Sequence, residues 1–226
     1  MGVLQAAWLI ARKDLTVELR SRELIYTAVF FALSCLLVFA FAFVGERTVV
    51  ENAPAGILWV TTIFAASLAL GRTFERERQA DTLRALLLAP IERPSIYLGK
   101  LLSLLILLFG IQVVVVPLVG LLFGAPIFRA PLLLGGLLLL GTVGFAAVGT
   151  LFAAMLQRAS SRDVLLPVVL YPVTLPAILG GMQGTLWVLA AEPNYELART
   201  WLAMLVFFDA VFLTLALWTF APVTSE

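Results

Sequence analysis

Few residues in this sequence are of a type that could do chemistry, and their surroundings narrow that chemistry further. Asp209 lies about ten residues into an otherwise apolar run, 201–220. A charged Asp at the bilayer centre costs about 2.5–3.5 kcal/mol on insertion scales, so its side chain must face protein or water. Two readings stand for it: part of a polar path or gating contact, or a protonated or hydrogen-bonded group at a helix interface. Gln112, in another apolar run, is one pairing option. The chain has no histidine, which removes the usual general base, the commonest metal ligand and the usual haem ligand. Its single cysteine, Cys35, sits in an apolar run. It cannot form an intrachain disulfide or a cysteine-based zinc site, and it reads as a small hydrophobe. No catalytic or metal site is expected, and soft ligands reduce to Met155, Met182, Met204 and Cys35. There is no Gly-x-x-x-x-Gly-Lys-(Ser/Thr) phosphate loop, so this chain is expected to bind no nucleotide itself.

The elements that must position these residues follow from composition. The chain is 226 residues long, 62% hydrophobic and 13% charged, outside the usual soluble range of about 45–50% and about 25%. A helix needs about 20 apolar residues to cross the hydrocarbon core. Stretches that qualify cover residues 25–44, 54–71, 101–123, 131–156, 164–182 and 201–220, the fifth continuing uncharged to residue 190. The expected fold is an all-α membrane protein with six transmembrane helices, a single permease-type domain over residues 1–226. Net charge is only +1, which gives no reason to invoke nucleic acid.

Orientation follows from Lys and Arg. Arg12, Lys13, Arg20, Arg22, Arg72, Arg76, Arg78, Arg84, Arg93, Lys100, Arg158 and Arg162 fall on one side, against Arg47, Arg129 and Arg199 on the other. Both termini and the second connection are therefore expected in the cytoplasm. Residues 40–42, Ala-Phe-Ala, resemble a signal cleavage site. The charged segment before the apolar run is too long and the run is of spanning length, so it reads as an uncleaved anchor. Residues 3–23 read as an amphipathic interfacial helix, with Leu4, Trp8, Ala11, Leu15 and Leu19 at helical spacing and Lys13 and Arg20 opposite. A plain cytosolic lead-in is the alternative.

Two spans carry special punctuation. Pro167, Pro172 and Pro176 are expected to kink or break the fifth, and Gly180, Gly181 and Gly184 follow, so a re-entrant segment before Glu192 is one reading. Gly141, Gly144, Gly149 and Ala153 make the fourth a close-packing helix, at a helix pair or a dimer seam.

The second connection combines charge and leucine. Arg72, Glu75, Arg76, Glu77 and Arg78 are followed by Asp81 and Thr82, which can cap a helix, and then by Leu83, Arg84, Leu86 and Leu87 before Pro90 ends the element. A helix of about three turns is too short to be stable alone in water, so its leucine face needs a partner. That partner is the membrane surface or the groove of another protein.

These residues carry a resemblance. Gly56-Ile57-Leu58-Trp59-Val60, Ser67-Leu68-Ala69-Leu70, Arg72 and Phe74 look like the second span of the haem exporter protein B family, permease subunits of the cytochrome c maturation ABC transporter. Residues 81–90, Asp-Thr-Leu-Arg-Ala-Leu-Leu-Leu-Ala-Pro, resemble its loop signature, Asp-Gly-(Ser/Thr)-Leu-x-x-Leu-Leu-Leu-(Ser/Ala)-Pro. Leu98-Gly99-Lys100-Leu101 and the Pro-rich fifth span, with Leu166-Pro167, Tyr171 and Pro176, are similar too. Ala80 precedes Asp81, the family glycine after the aspartate is missing, and Glu-Arg-Glu-Arg replaces the usual acidic run.

The resemblance implies a coupling helix docking on a separate ATPase subunit, through Arg76, Asp81, Thr82, Leu83, Arg84, Leu86, Leu87 and Pro90. It further implies a second copy of this chain, ATP and Mg on the partner ATPase, and haem as a substrate of the complex, with an adjoining membrane subunit handling it. This chain is then a non-catalytic subunit of the bacterial inner membrane that binds no cofactor. Two other readings remain: a permease of the same type for a lipid or another apolar substrate, and a secondary transporter or channel. The latter usually places several polar groups along a path, and only Asp209 and Gln112 stand out here.

Overall fold

The computed structural model describes residues 2–43, 53–79, 92–156 and 162–223, with side chains described for 2–43, 53–73, 92–156 and 164–220. Among them are seven α-helices and no strand: α1 (Val3–Ser21), α2 (Glu23–Ala42), α3 (Ala53–Gln79), α4 (Arg93–Phe123), α5 (Pro131–Met155), α6 (Arg162–Leu189) and α7 (Tyr195–Val223). Helices α2 to α7 each contain a segment long and apolar enough to cross a membrane, because a segment in lipid must satisfy its backbone groups internally.

Local chemistry sets the helix ends. Pro94 and Pro131 stand in the first turns of α4 and α5, where a missing N–H costs nothing, and Gly124 closes α4 with φ 65°. Asn194 caps α7, its Oδ1 accepting the Leu197 N–H at 3.1 Å. At the α6 end, Arg129 donates to the Ala190 carbonyl at 2.8 Å, satisfying a group the helix leaves open. Helix α6 runs unbroken through Pro167, Pro172 and Pro176 to Leu189, so the re-entrant reading of this stretch is replaced by one long helix. In a bundle, neighbouring helices and local adjustments re-satisfy the carbonyls that an internal proline frees.

The layering is uneven. Within their spanning windows α3 is 67% buried and α5 61%, while α2 and α7 are each 22% buried. Helices α3 and α5 therefore form the centre, flanked by α4 and α6, with α2 and α7 turned outward. Helix α1 packs chiefly on α4. It buries Ala6, Ala7, Ile10 and Ala11 and leaves Leu4, Trp8 and Leu19 exposed. Ala11, read in the sequence as part of the outward apolar stripe, thus belongs to the docked face. Its small side chain, with Ala7 and Gly99, lets the two helices meet: a Cβ on Gly99 would lie 2.7 Å from Ile10 Cβ.

Candidate functional site

Two places in the fold gather polar side chains. One crosses the middle of the bundle. Trp59, on α3, is 2% exposed, and its ring fills notches that two glycines leave on neighbouring helices. A Cβ at Gly141 of α5 or at Gly181 of α6 would overlap the indole. The indole Nε1–H donates to Thr185 Oγ1 at 3.0 Å, which orients the ring and satisfies its one polar group. Next to Gly141, Thr142 Oγ1 accepts from Gln112 Nε2 at 2.7 Å. Gln112 is therefore paired across α4 and α5, and the expected option of a Gln112–Asp209 pair is replaced by this contact. Thr142 supplies what a buried amide requires, a partner on the adjacent helix.

Asp209 of α7 is 4% exposed and points at Gly144 of α5. A Cβ there would stand 2.7 Å from Asp209 Oδ1 and 3.1 Å from the Phe208 ring. Neither carboxyl oxygen has a hydrogen-bond partner among the described residues. Gly149, one to two turns further, receives Leu70 of α3. The small-residue stripe of α5 is thus filled by side chains of this same chain.

The second place is the frame on either side of residues 80–91. Helix α3 continues beyond its apolar run to Gln79, and α4 starts again at Arg93. Lys100, 3% exposed, donates from Nζ to Asp14 Oδ2 of α1 at 2.6 Å. Asp14 Oδ1 also meets Lys13 Nζ at 2.8 Å. On the other flank, Arg72 pairs with Glu23 of α2 at 3.3 Å, on the exposed surface. The joint between α1 and α2 is itself fixed. Arg22 takes φ 55°, and Glu18 Oε1 accepts the N–H groups of Leu24 at 3.0 Å and Ile25 at 3.2 Å. This carboxylate stands where the open amides and dipole of α2 favour negative charge. Further in, Tyr97 of α4 donates to the Ala147 carbonyl at 3.0 Å and packs on Phe220, while the hydroxyls of Ser67 and Tyr171 share a 2.9 Å hydrogen bond.

The sequence pointed to a different set for docking. Asp81, Thr82, Leu83, Arg84, Leu86, Leu87 and Pro90 lie outside the described residues, and Arg76 is described only as backbone of α3. What was missed is the anchoring on both flanks. Lys100 reads in sequence as one more positive charge. Only the small residue before it, Gly99, hints that a helix lies against this turn.

Known proteins bear on the arrangement. Heme exporter protein B of Escherichia coli (strain K12) is 29% identical over 96 residues, 42% of this chain and 44% of that protein. The chain thus spans less than half the length of that relative. Heme exporter protein B of Pseudomonas aeruginosa is 27% identical over 181 residues, 79% of this chain and 80% of that protein. With six membrane-spanning helices, the protein is a multi-pass protein of the inner membrane. The family described as CcmB protein matches residues 5–225, nearly the entire chain, and the chain belongs to that family.

Proposed function

We propose that this chain is the permease subunit of an ATP-driven complex for haem export or haem delivery in c-type cytochrome maturation. The observation that carries the reading is the family match from residue 5 to residue 225, together with the haem exporter names of the relatives. The termini and the segment between α3 and α4 face the cytoplasm in this reading, as the excess of Lys and Arg favours. A separate ATPase subunit, carrying ATP and Mg, docks on the leucine face of residues 83–87. The absence of a phosphate loop supports placing the hydrolysis on another chain.

The frame around the docking segment supports a mechanical role. Both flanks are helical continuations of membrane spans, and each is tied to the N-terminal pair α1–α2, by Lys100–Asp14 and by Arg72–Glu23. A displacement applied between the flanks therefore moves α3, α4 and α1 together, and through Trp59 reaches α5 and α6. The chain contributes no catalytic group. It acts with a second copy of itself, in the bilayer, beside a membrane subunit that handles haem.

The test is purification in mild detergent from cells expressing the neighbouring transporter genes. A soluble ATPase is expected to co-purify with the wild-type chain and to be lost from Leu83→Glu and Leu87→Glu. Retention of the ATPase by both variants removes the docking site. Normal yields of covalently haem-loaded c-type cytochrome in a strain lacking the chain remove the haem role.

A further inference from the structure

The central polar group with no assigned work is Asp209. Its two carboxyl oxygens are buried and without a hydrogen-bond partner among the described residues. Helix α7 packs on α5, α6 and α4, and the spans of those helices offer no counter-charge. No Asp, Glu, Lys or Arg occurs in residues 131–155 of α5, 164–189 of α6 or 101–123 of α4. Of the other titratable groups on those elements, Tyr171 is engaged with Ser67, Tyr97 with Ala147 and Phe220, and Lys100 with Asp14, while Arg93, Arg162 and Asp163 stand in the first turns of α4 and α6, at the ends of those helices. On α7 itself Glu196 and Arg199 pair with each other, ten or more residues away from Asp209. An ionised carboxylate in apolar surroundings without a donor is far costlier than a neutral acid, and such groups take up a proton instead. Where Oδ1 approaches Gly144 the two helices are in close contact, since a Cβ there would stand 2.7 Å from that oxygen.

We propose that Asp209 is a proton-binding site: its carboxyl holds a proton while α7 lies against Gly144, and releases it when that contact opens to water. The site takes a proton and no larger ligand, and it stands independently of the ATPase and of haem. Its occupancy reports whether α5 and α7 are closed.

The full-length chain in native membrane vesicles, treated with the lipophilic reagent dicyclohexylcarbodiimide, tests the site. The carboxyl proton moves to one carbodiimide nitrogen as the carboxyl oxygen bonds to the central carbon. An oxygen-to-nitrogen acyl shift then gives a stable N-acylurea, and nothing leaves. One adduct mapping to Asp209 is expected near neutral pH, declining in alkali and absent from Asp209→Asn. Peptide mapping of the wild-type chain localises the adduct even where the variant accumulates poorly. Infrared difference spectra provide the second reading, since they need no reagent access: a carboxylic-acid carbonyl band is expected, lost in Asp209→Asn. In folded Gly144→Leu, where a side chain wedges α5 from α7, this band is expected to give way to carboxylate bands. Carboxylate bands and no adduct in the wild-type chain at neutral pH overturn the site. A persistent acid band in folded Gly144→Leu overturns its link to the α5–α7 contact.

Discussion

Trp59 holds three helices with one side chain, and this makes its two glycine neighbours testable as a unit. The ring occupies the volume that a side chain at Gly141 or Gly181 would need. Overpacking a well-filled core costs typically about 1–3 kcal/mol. Gly141→Ala and Gly181→Ala are each expected to destabilise the chain by an amount in that range, read as a lower thermal unfolding midpoint in detergent. Thr185→Val is expected to cost about 1–3 kcal/mol by leaving the buried indole N–H without its acceptor. Unchanged midpoints in all three variants would show that the ring does not lock the bundle. The sequence exposed half of this arrangement. Gly141 and Gly144 signal close approach on their own, because glycine in a helix is otherwise disfavoured. What enters each notch is set by the rotation and height of the opposing helix. A leucine-rich span, apolar on every side, leaves no periodicity from which to read either. Gln112 shows the same gap: its type demanded a buried partner, while the choice of Thr142 over Asp209 depends on which faces meet.

Between elements, the docking of α1 on α4 is the contact with the largest consequence for residues 80–91, which connect straight into α4. Breaking a buried ion pair by removing one partner costs about 3–5 kcal/mol, while replacing both by apolar residues is often close to neutral. Asp14→Leu alone is therefore expected to destabilise the chain by that order, and Asp14→Leu with Lys100→Met to recover most of the loss. Chemical or thermal unfolding of the three proteins in one detergent measures this. A double variant as weak as the single one would mean that the pair does more than neutralise Lys100. Glu18→Ala, which frees the amides of Leu24 and Ile25, is expected to cost about 1 kcal/mol, as loss of a cap does. The existence of α1 was legible in its helical spacing, and Leu4, Trp8 and Leu19 of the stripe expected there are exposed. Its docked face was not, because three of its four buried residues are Ala6, Ala7 and Ala11, whose small side chains carry little hydrophobic signal, and Ile10 alone does not make a stripe. The prolines of α6 left a kinked helix, a break or a re-entrant segment open. The structure keeps the helix whole from Arg162 to Leu189 and so removes the break.

For the molecule as a whole, the six spans were readable because length and apolarity alone define them, but the sidedness is an electrostatic expectation that the fold does not decide. Its consequence is an even number of crossings between α1 and the α3–α4 connection, and an odd number between either of these and the α6–α7 connection. The chain makes this easy to probe. Cys35 is its only cysteine, so Cys35→Ala gives a background without thiols at the cost of one small, part-buried side chain. Into it go Ser21→Cys on α1, Glu92→Cys before α4, and Glu192→Cys and Glu196→Cys around the start of α7, all at exposed positions. A membrane-impermeant maleimide is expected to label the first two only in inverted vesicles and the last two only in spheroplasts. Agreement places α1, with its ion pair to Lys100, and the flank of the docking segment on the side where ATP is present. That is the geometry an ATPase-driven permease requires. Labelling of Ser21→Cys and Glu196→Cys from the same side would contradict five crossings between them, and with it the cytoplasmic placement of α1 and of residues 80–91.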